Sequence, residues 1–111
     1  MPIITCLNCP KKRVLILAQN EDISGGIARR MLPFSEWTLF LKTNNDINIE
    51  IELSPEEGNP PNSAEFFEVP ESPVRMLNSD SAEIAMDIEV GTIRLTGSTN
   101  ALVTAIIRGK N

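Results

Sequence analysis

Apolar and polar residues alternate along much of the chain from residue 34 onward. In EWTLFLKT every second residue from Trp37 to Leu41 is apolar, and in INIEIEL every second residue from Ile47 to Leu53 is apolar. A period of two is typical of a half-buried β-strand, because successive side chains of a strand point to opposite faces. In a helix the same residues would be scattered around the cylinder. We therefore predict two strands, and the polar residues TNND between them predict a hairpin turn.

Fainter alternation predicts further strands in the rest of the chain. AEIAMDIE places Ile84, Met86 and Ile88 on one face, and GTIRLTG and ALVTAIIRG flank a turn, GSTN, as a closing hairpin. Ahead of these, RVLILAQ is interpreted as a strand buried on both faces. Shorter candidates are PIITCL, AEFFEV and PVRML. About seven or eight short strands separated by turns predict an all-β fold, an antiparallel β-sandwich of jelly-roll type.

The first 33 residues lack this clean alternation. The segment NEDISGGIARRMLPF fits neither period, and Gly25-Gly26 and Pro33 predict a loop or a single helical turn. Residues 1–33 carry five basic and two acidic residues, whereas residues 34–111 carry five basic and thirteen acidic ones. We predict an irregular N-terminal arm with a lead-in strand in residues 1–33, and a β-sandwich domain in residues 34–111 that folds alone.

Composition and charge argue against several classes of function. The chain has 111 residues, which is the size of one domain, and a net charge of −5. A nucleic-acid-binding domain usually has a basic face, so no nucleic-acid partner is expected. No segment approaches the roughly 18 apolar residues of a membrane span, and the N-terminus lacks the residue order of a signal peptide. We expect a soluble intracellular protein, or one assembled inside a cell, with no membrane partner.

Candidate catalytic residues are sparse. The chain has no His, which excludes Ser-His and Cys-His nucleophile pairs. Carboxylate pairs that hydrolyse glycosides usually lie beside aromatic platforms, and four Phe and one Trp leave few for that role. Asn78–Glu83 offers oxygen ligands without the spacing of an EF-hand loop. The expectation is a protein that is not an enzyme and has no cofactor.

Cys6 and Cys9 have the C-x-x-C spacing of redox and zinc sites. A zinc ion needs four ligands, and one chain supplies two thiols and no His. A dimer or trimer could pool its thiols. A thioredoxin-type motif requires a helix to begin at the thiols, but Pro10 and a basic run follow here. Three interpretations stay open: reduced thiols without a role, a pooled metal site and a redox site.

From Phe34 to Lys110 the order of segments resembles the capsid decoration (cement) proteins of tailed bacteriophages. The matching pieces are Trp37–Leu41, Ile47–Leu53, Glu71–Val74, Ile93–Gly97 and Val103–Ile107. The resemblance implies a non-enzymatic virion protein that forms oligomers, often trimers. It also implies that the partner is the major capsid protein, on the outer surface of an icosahedral head, and that assembly occurs in the host cytoplasm.

The N-terminal arm would then be the element that contacts the shell. We predict partner contacts at Ile3, Ile4, Leu7, Lys11, Lys12 and Arg13. Further apolar anchors would be Val14, Leu15, Ile16 and Leu17, if these are not part of the core. Two alternatives share the fold: a glycan-binding adhesion module and a phage tail or neck adaptor. The glycan-binding module would need an exposed aromatic residue, whereas the alternation places Trp37 in the core.

Overall fold

A computed structural model describes residues 12–110 of the chain, with side chains from residue 13 onward. This part of the chain is nearly all β-structure, which confirms the predicted fold class. The strands are β1 (Lys12–Asp22), β2 (Ile27–Arg30), β3 (Glu36–Thr43), β4 (Ile47–Ser54), β5 (Phe67–Glu68), β6 (Val74–Met76), β7 (Ser81–Met86), β8 (Thr92–Gly97) and β9 (Leu102–Lys110). A short 3₁₀ helix covers Pro61–Ser63.

The strands form two antiparallel sheets that pack face to face. The front sheet has the order β1-β9-β3-β7, and the back sheet has the order β2-β8-β4, with β5 and β6 both pairing with the far edge of β4. The chain crosses to the other sheet at every connection except those from β4 to β5 and from β5 to β6. This alternation between sheets is the arrangement of a jelly roll.

The core lies between the sheets and consists of the inward faces that the alternation predicts. Trp37, Leu39 and Leu41 of β3 are at most 2% exposed, and Ile49 and Ile51 of β4 are fully buried. Complete burial of each such aliphatic side chain contributes roughly 1.5–3 kcal/mol relative to the exposed state. The strand face predicted for Ile84, Met86 and Ile88 does not extend to Ile88, because β7 ends at Met86 and the Ile88 side chain is 54% exposed.

Both predicted hairpins are wrong, because their strands lie in different sheets. β3 pairs with β9 and β7 in the front sheet, whereas β4 pairs with β8 in the back sheet. Likewise β8 belongs to the back sheet and β9 to the front sheet. At the β3–β4 corner the buried Thr43 hydroxyl donates a hydrogen bond to the Asn45 carbonyl at 2.7 Å. A local turn and two amphipathic strands are equally compatible with a hairpin and with such a corner.

Residues 12–33 are part of the sandwich. β1 pairs with β9 along its length, β2 pairs with β8, and Leu17, Ala18, Ile23 and Met31 lie in the core. A loop does lie at Gly25-Gly26, where the Gly26 amide donates to the Ile23 carbonyl at 3.0 Å. The predicted irregular segment is too long, however, because β1 runs to Asp22 and Ile27–Arg30 forms β2. The predicted boundary between residues 33 and 34 thus falls inside one core, and residues 1–11 lie outside the described residues.

Candidate docking face on the front sheet

The outer face of the front sheet carries a cluster of exposed apolar side chains. The register aligns Ile16 of β1 with Ile106 of β9, and Ile106 with Phe40 of β3. Directly opposed side chains of antiparallel strands lie about 4.5–5.5 Å apart at Cβ, so these three are neighbours. Ile16 is 53% exposed, Phe40 is 38% exposed, and Val14, two residues before Ile16, is 59% exposed. Ile106, between Ile16 and Phe40, is half-buried. We call Val14, Ile16, Ile106 and Phe40 the apolar row.

The apolar row is exposed because the back sheet covers only the inner face of the front sheet. In β1, Leu15 and Leu17 point to the core while Val14 and Ile16 point outward. The prediction that RVLILAQ is buried on both faces is therefore wrong. β1 lies at the edge of the front sheet, and within residues 12–110 no element packs on the outside of this strand.

Cationic side chains flank the apolar row. Arg108 is aligned with Val14 and Thr38, and Lys42 follows Phe40 on the same face of β3. Among the described residues neither Arg108 nor Lys42 forms a salt bridge, whereas Lys110 pairs with Glu36 at 2.9 Å. The apolar row with Arg108 and Lys42 forms what we call the docking face. Its chemistry suits an apolar surface that also presents carboxylates.

The outer face of the back sheet has a different character. Arg94 donates two hydrogen bonds to the Glu52 carboxylate, at 3.0 and 2.8 Å, and its guanidinium lies 4.2 Å from the centre of the Phe66 ring. The hydrogen bonds to Glu52 hold the pKa of Arg94 above its ordinary value. The central cation of this face is therefore neutralised, and the carboxylates of Glu50 and Glu68 are exposed. Charge thus differs between the two outer faces.

The edge of β1 has a regular half and an irregular half. The register with β9 shifts between Ile16 and Ala18 and again before Glu21, and Asn20 has a φ of 53°. The backbone amide of Gln19 donates a hydrogen bond to the Glu21 carboxylate at 3.3 Å, so this donor in the edge strand already has an acceptor. The Ser24 amide donates to the Asp22 carboxylate, and this hydrogen bond lowers the pKa of Asp22. The pairing with β9 is regular from Lys12 to Ile16.

The structure places the predicted contact residues unequally. Ile3, Ile4, Leu7 and Lys11 lie outside the described residues, while Lys12 begins β1 and Arg13 is exposed opposite Gly109. The four proposed apolar anchors divide into two pairs: Val14 and Ile16 are exposed, and Leu15 and Leu17 face the core.

Four residues of the docking face were not predicted from the sequence as contact residues: Phe40, Lys42, Ile106 and Arg108. A signal for two of them exists, since Phe40 and Ile106 are apolar residues at outward positions of strands that are otherwise half-buried.

Trp37 belongs to the core, as the alternation predicts. Its side chain is 2% exposed, and its indole Nε1 donates to the Ile88 carbonyl at 2.8 Å. Trp37 therefore offers no platform on which a sugar could stack.

Between residues 12 and 110 there is no group of three or more carboxylate, thiol or imidazole side chains placed to hold a metal ion. The same part of the chain contains no helix with the length and apolar character needed to cross a membrane. Cys6 and Cys9 lie outside the described residues.

Comparison with known proteins gives little similarity. No protein-family model matches the chain, and no curated protein matches it. Among solved structures, the chain is similar to a protein from work on Bacillus endospore appendages, described as a novel family of disulfide-linked pili. The TM-score is 0.43 at 11% sequence identity, over 99% of this chain and 98% of that one. A similarity at this level identifies neither a family nor a function.

Proposed function

We propose that this protein is a non-enzymatic structural virion protein, a capsid decoration protein that binds the outer surface of a phage head through the docking face. The observation that supports the proposal is the apolar row flanked by Arg108 and Lys42, which form no salt bridge within residues 12–110. A set of exposed apolar side chains on neighbouring strands is typical of a protein–protein contact. In this proposal the partner is the major capsid protein, and the protein is located on the capsid surface.

The energetics indicate that the docking face works together with other contacts. Val14, Ile16 and Phe40 are each about half exposed, so covering them contributes roughly 2–4 kcal/mol in total, taking 1.5–3 kcal/mol for each complete burial. Association costs about 4–15 kcal/mol in lost translational and rotational freedom. The apolar row alone does not offset this cost. Ion pairs at Arg108 and Lys42, contacts of residues 1–11, and binding of several linked copies would supply the remainder.

The test is co-sedimentation of the full chain with purified heads of the phage whose genome carries this sequence. We expect the wild-type chain to sediment with the heads, and Lys42→Glu combined with Arg108→Glu to weaken binding at least tenfold. The control is Arg75→Glu, which makes half of that charge change, in the same sense, on the exposed outer side of β6 in the back sheet. Equal binding of all three proteins would contradict the proposed docking face. Binding to purified tails and not to heads would favour a tail or neck adaptor.

The arm contacts predicted from the sequence form a second part of this proposal. Deletion of residues 1–11 removes Ile3, Ile4, Leu7 and Lys11 and leaves β1 intact. We expect the shortened protein to keep its melting temperature and to lose affinity for the heads. Full affinity after the deletion would assign binding to the docking face alone. The glycan-binding alternative receives no support from Trp37, because that side chain is buried.

A further inference from the structure

We infer that the β1 edge is a self-association site, at which β1 of a second copy of this chain pairs antiparallel about a twofold axis. β1 is an edge strand of eleven residues, and its outer neighbour position in the front sheet is vacant among the described residues. An open edge with exposed apolar side chains is a template for pairing with another strand. Pairing of two β1 strands would join two four-stranded front sheets into one continuous sheet.

The charge pattern of β1 is complementary to itself. Arg13 lies at the start of the strand, and Glu21 and Asp22 lie at its end, all with exposed side chains. An antiparallel arrangement of two β1 strands places the start of each beside the end of the other. Arg13 of one copy then lies near Glu21 and Asp22 of the second copy, and the twofold axis repeats this contact. A parallel arrangement would instead place like charges side by side, which is unfavourable.

The apolar row also favours a second copy of β1 over the other open edge of the front sheet. Twofold pairing near Ile16 continues the row from Phe40, Ile106 and Ile16 directly into the equivalent residues of the partner. At the opposite edge, β7 presents Glu83 in the position aligned with Phe40. Pairing of β1 with β7 of a second copy would end the apolar row at a carboxylate. Because an isologous contact closes on itself, the expected product is a dimer.

The irregular half of β1 limits how far the two strands overlap. The register shifts and the hydrogen bond from the Gln19 amide to Glu21 leave Lys12–Ile16 as the regular segment. β-Bulges are a common means of ending strand pairing at an edge. The twofold axis that sets Arg13 beside Glu21 passes near Leu17, so Lys12–Ile16 of each copy lies beside the irregular half of the other. The acidic end therefore contributes through its side chains rather than through a regular ladder of backbone hydrogen bonds.

The inference concerns the edge of β1 and is independent of head binding by the docking face. Its variants change Arg13 and Glu21, which lie outside the docking face, and its readout is molecular mass without heads. A monomeric protein that binds heads would overturn this inference and leave the proposed function standing. A dimeric protein that fails to bind heads would support this inference and contradict the proposed function.

The experiment is a charge exchange measured by sedimentation velocity on the full chain. We expect the wild type to form a dimer. Arg13→Glu alone and Glu21→Lys alone should each raise the dimer dissociation constant roughly tenfold or more, because a dimer of either variant contains two contacts between like charges. An equimolar mixture of the two variants should restore the dimer. In the mixed dimer the new carboxylate at position 13 faces the new ammonium group at position 21, and the unchanged Arg13 of one copy faces the unchanged Glu21 of the other. Circular dichroism and melting temperatures establish that both variants are folded.

Three results would overturn the inference. The first is a wild-type chain that stays monomeric, and the second is a mixture that associates no better than the single variants. The third is a trimer or larger assembly, the state that the resemblance to decoration proteins implies, in which β1 meets a different surface. All experiments are run with a thiol reductant, so that Cys6 and Cys9 cannot link copies covalently.

Discussion

Substitution of Gly109 by Ala tests the packing at one end of the sandwich. A Cβ atom on residue 109 would meet the Phe34 ring, including both Cδ atoms at 2.6 and 2.7 Å. Phe34 is 1% exposed, so its ring is enclosed by other atoms of the core. Residue 109 is also paired on both sides, with Arg13 of β1 and Trp37 of β3, which holds the backbone in place. The added methyl group must therefore displace a buried ring.

The expected cost follows from these contacts. Adding one methyl group to a tightly packed core costs about 1–3 kcal/mol, and the restricted site favours the upper end of that range. The loss of glycine's freedom in the unfolded chain offsets about 0.4–1 kcal/mol. We expect Gly109→Ala to lower the free energy of unfolding by about 2 kcal/mol, measured by urea titration followed by circular dichroism. Typical domains have about 5–15 kcal/mol in total, so the variant should still fold.

A double-mutant cycle separates the proposed contact from a general effect. Phe34→Ala alone should cost about 3–5 kcal/mol because it leaves a cavity. In the double variant the methyl group added at position 109 occupies part of that cavity, so the loss should be smaller than the sum of the single losses by at least about 1 kcal/mol. The matched control is Gly25→Ala, where an added Cβ has no atom within 4 Å and the stability should change little. Strict additivity, or a Gly109→Ala protein as stable as the wild type, would contradict the proposed contact between a side chain at position 109 and the Phe34 ring.

Two further predictions concern the core and the N-terminal strands. Trp37→Phe should lower the free energy of unfolding by about 1–3 kcal/mol, because the Ile88 carbonyl loses the indole donor at 2.8 Å. Urea titration measures this loss. An unchanged midpoint of the titration would show that the hydrogen bond contributes nothing to stability. A fragment of residues 34–111 should stay unfolded, because it lacks β1 and β2, whereas residues 12–111 should fold. Dispersion of amide resonances in NMR spectra distinguishes these states, and a folded fragment 34–111 would mean that the remaining strands suffice.

The inward faces of the long strands follow from the sequence alone. In β3 and β4 the alternation around Leu39 and Ile49 identifies the buried residues, because a strand with one covered face leaves a period of two in its own residues. The same reasoning placed Trp37 in the core. It failed at β1, where Val14 and Ile16 are apolar and exposed, since the residue types do not distinguish a strand covered on both faces from an edge strand with an uncovered apolar face.

The tertiary structure decided which strands are neighbours, and with this the docking face. Ile16, Phe40 and Ile106 come from the beginning, the middle and the end of the chain, and the order β1-β9-β3 brings them into one row. Alternation within a segment depends on that segment's own burial, whereas pairing depends on the competition of all strands for partners. Both hairpin predictions failed for this reason: a turn such as TNND marks where the chain reverses and does not determine the sheet in which the next strand lies.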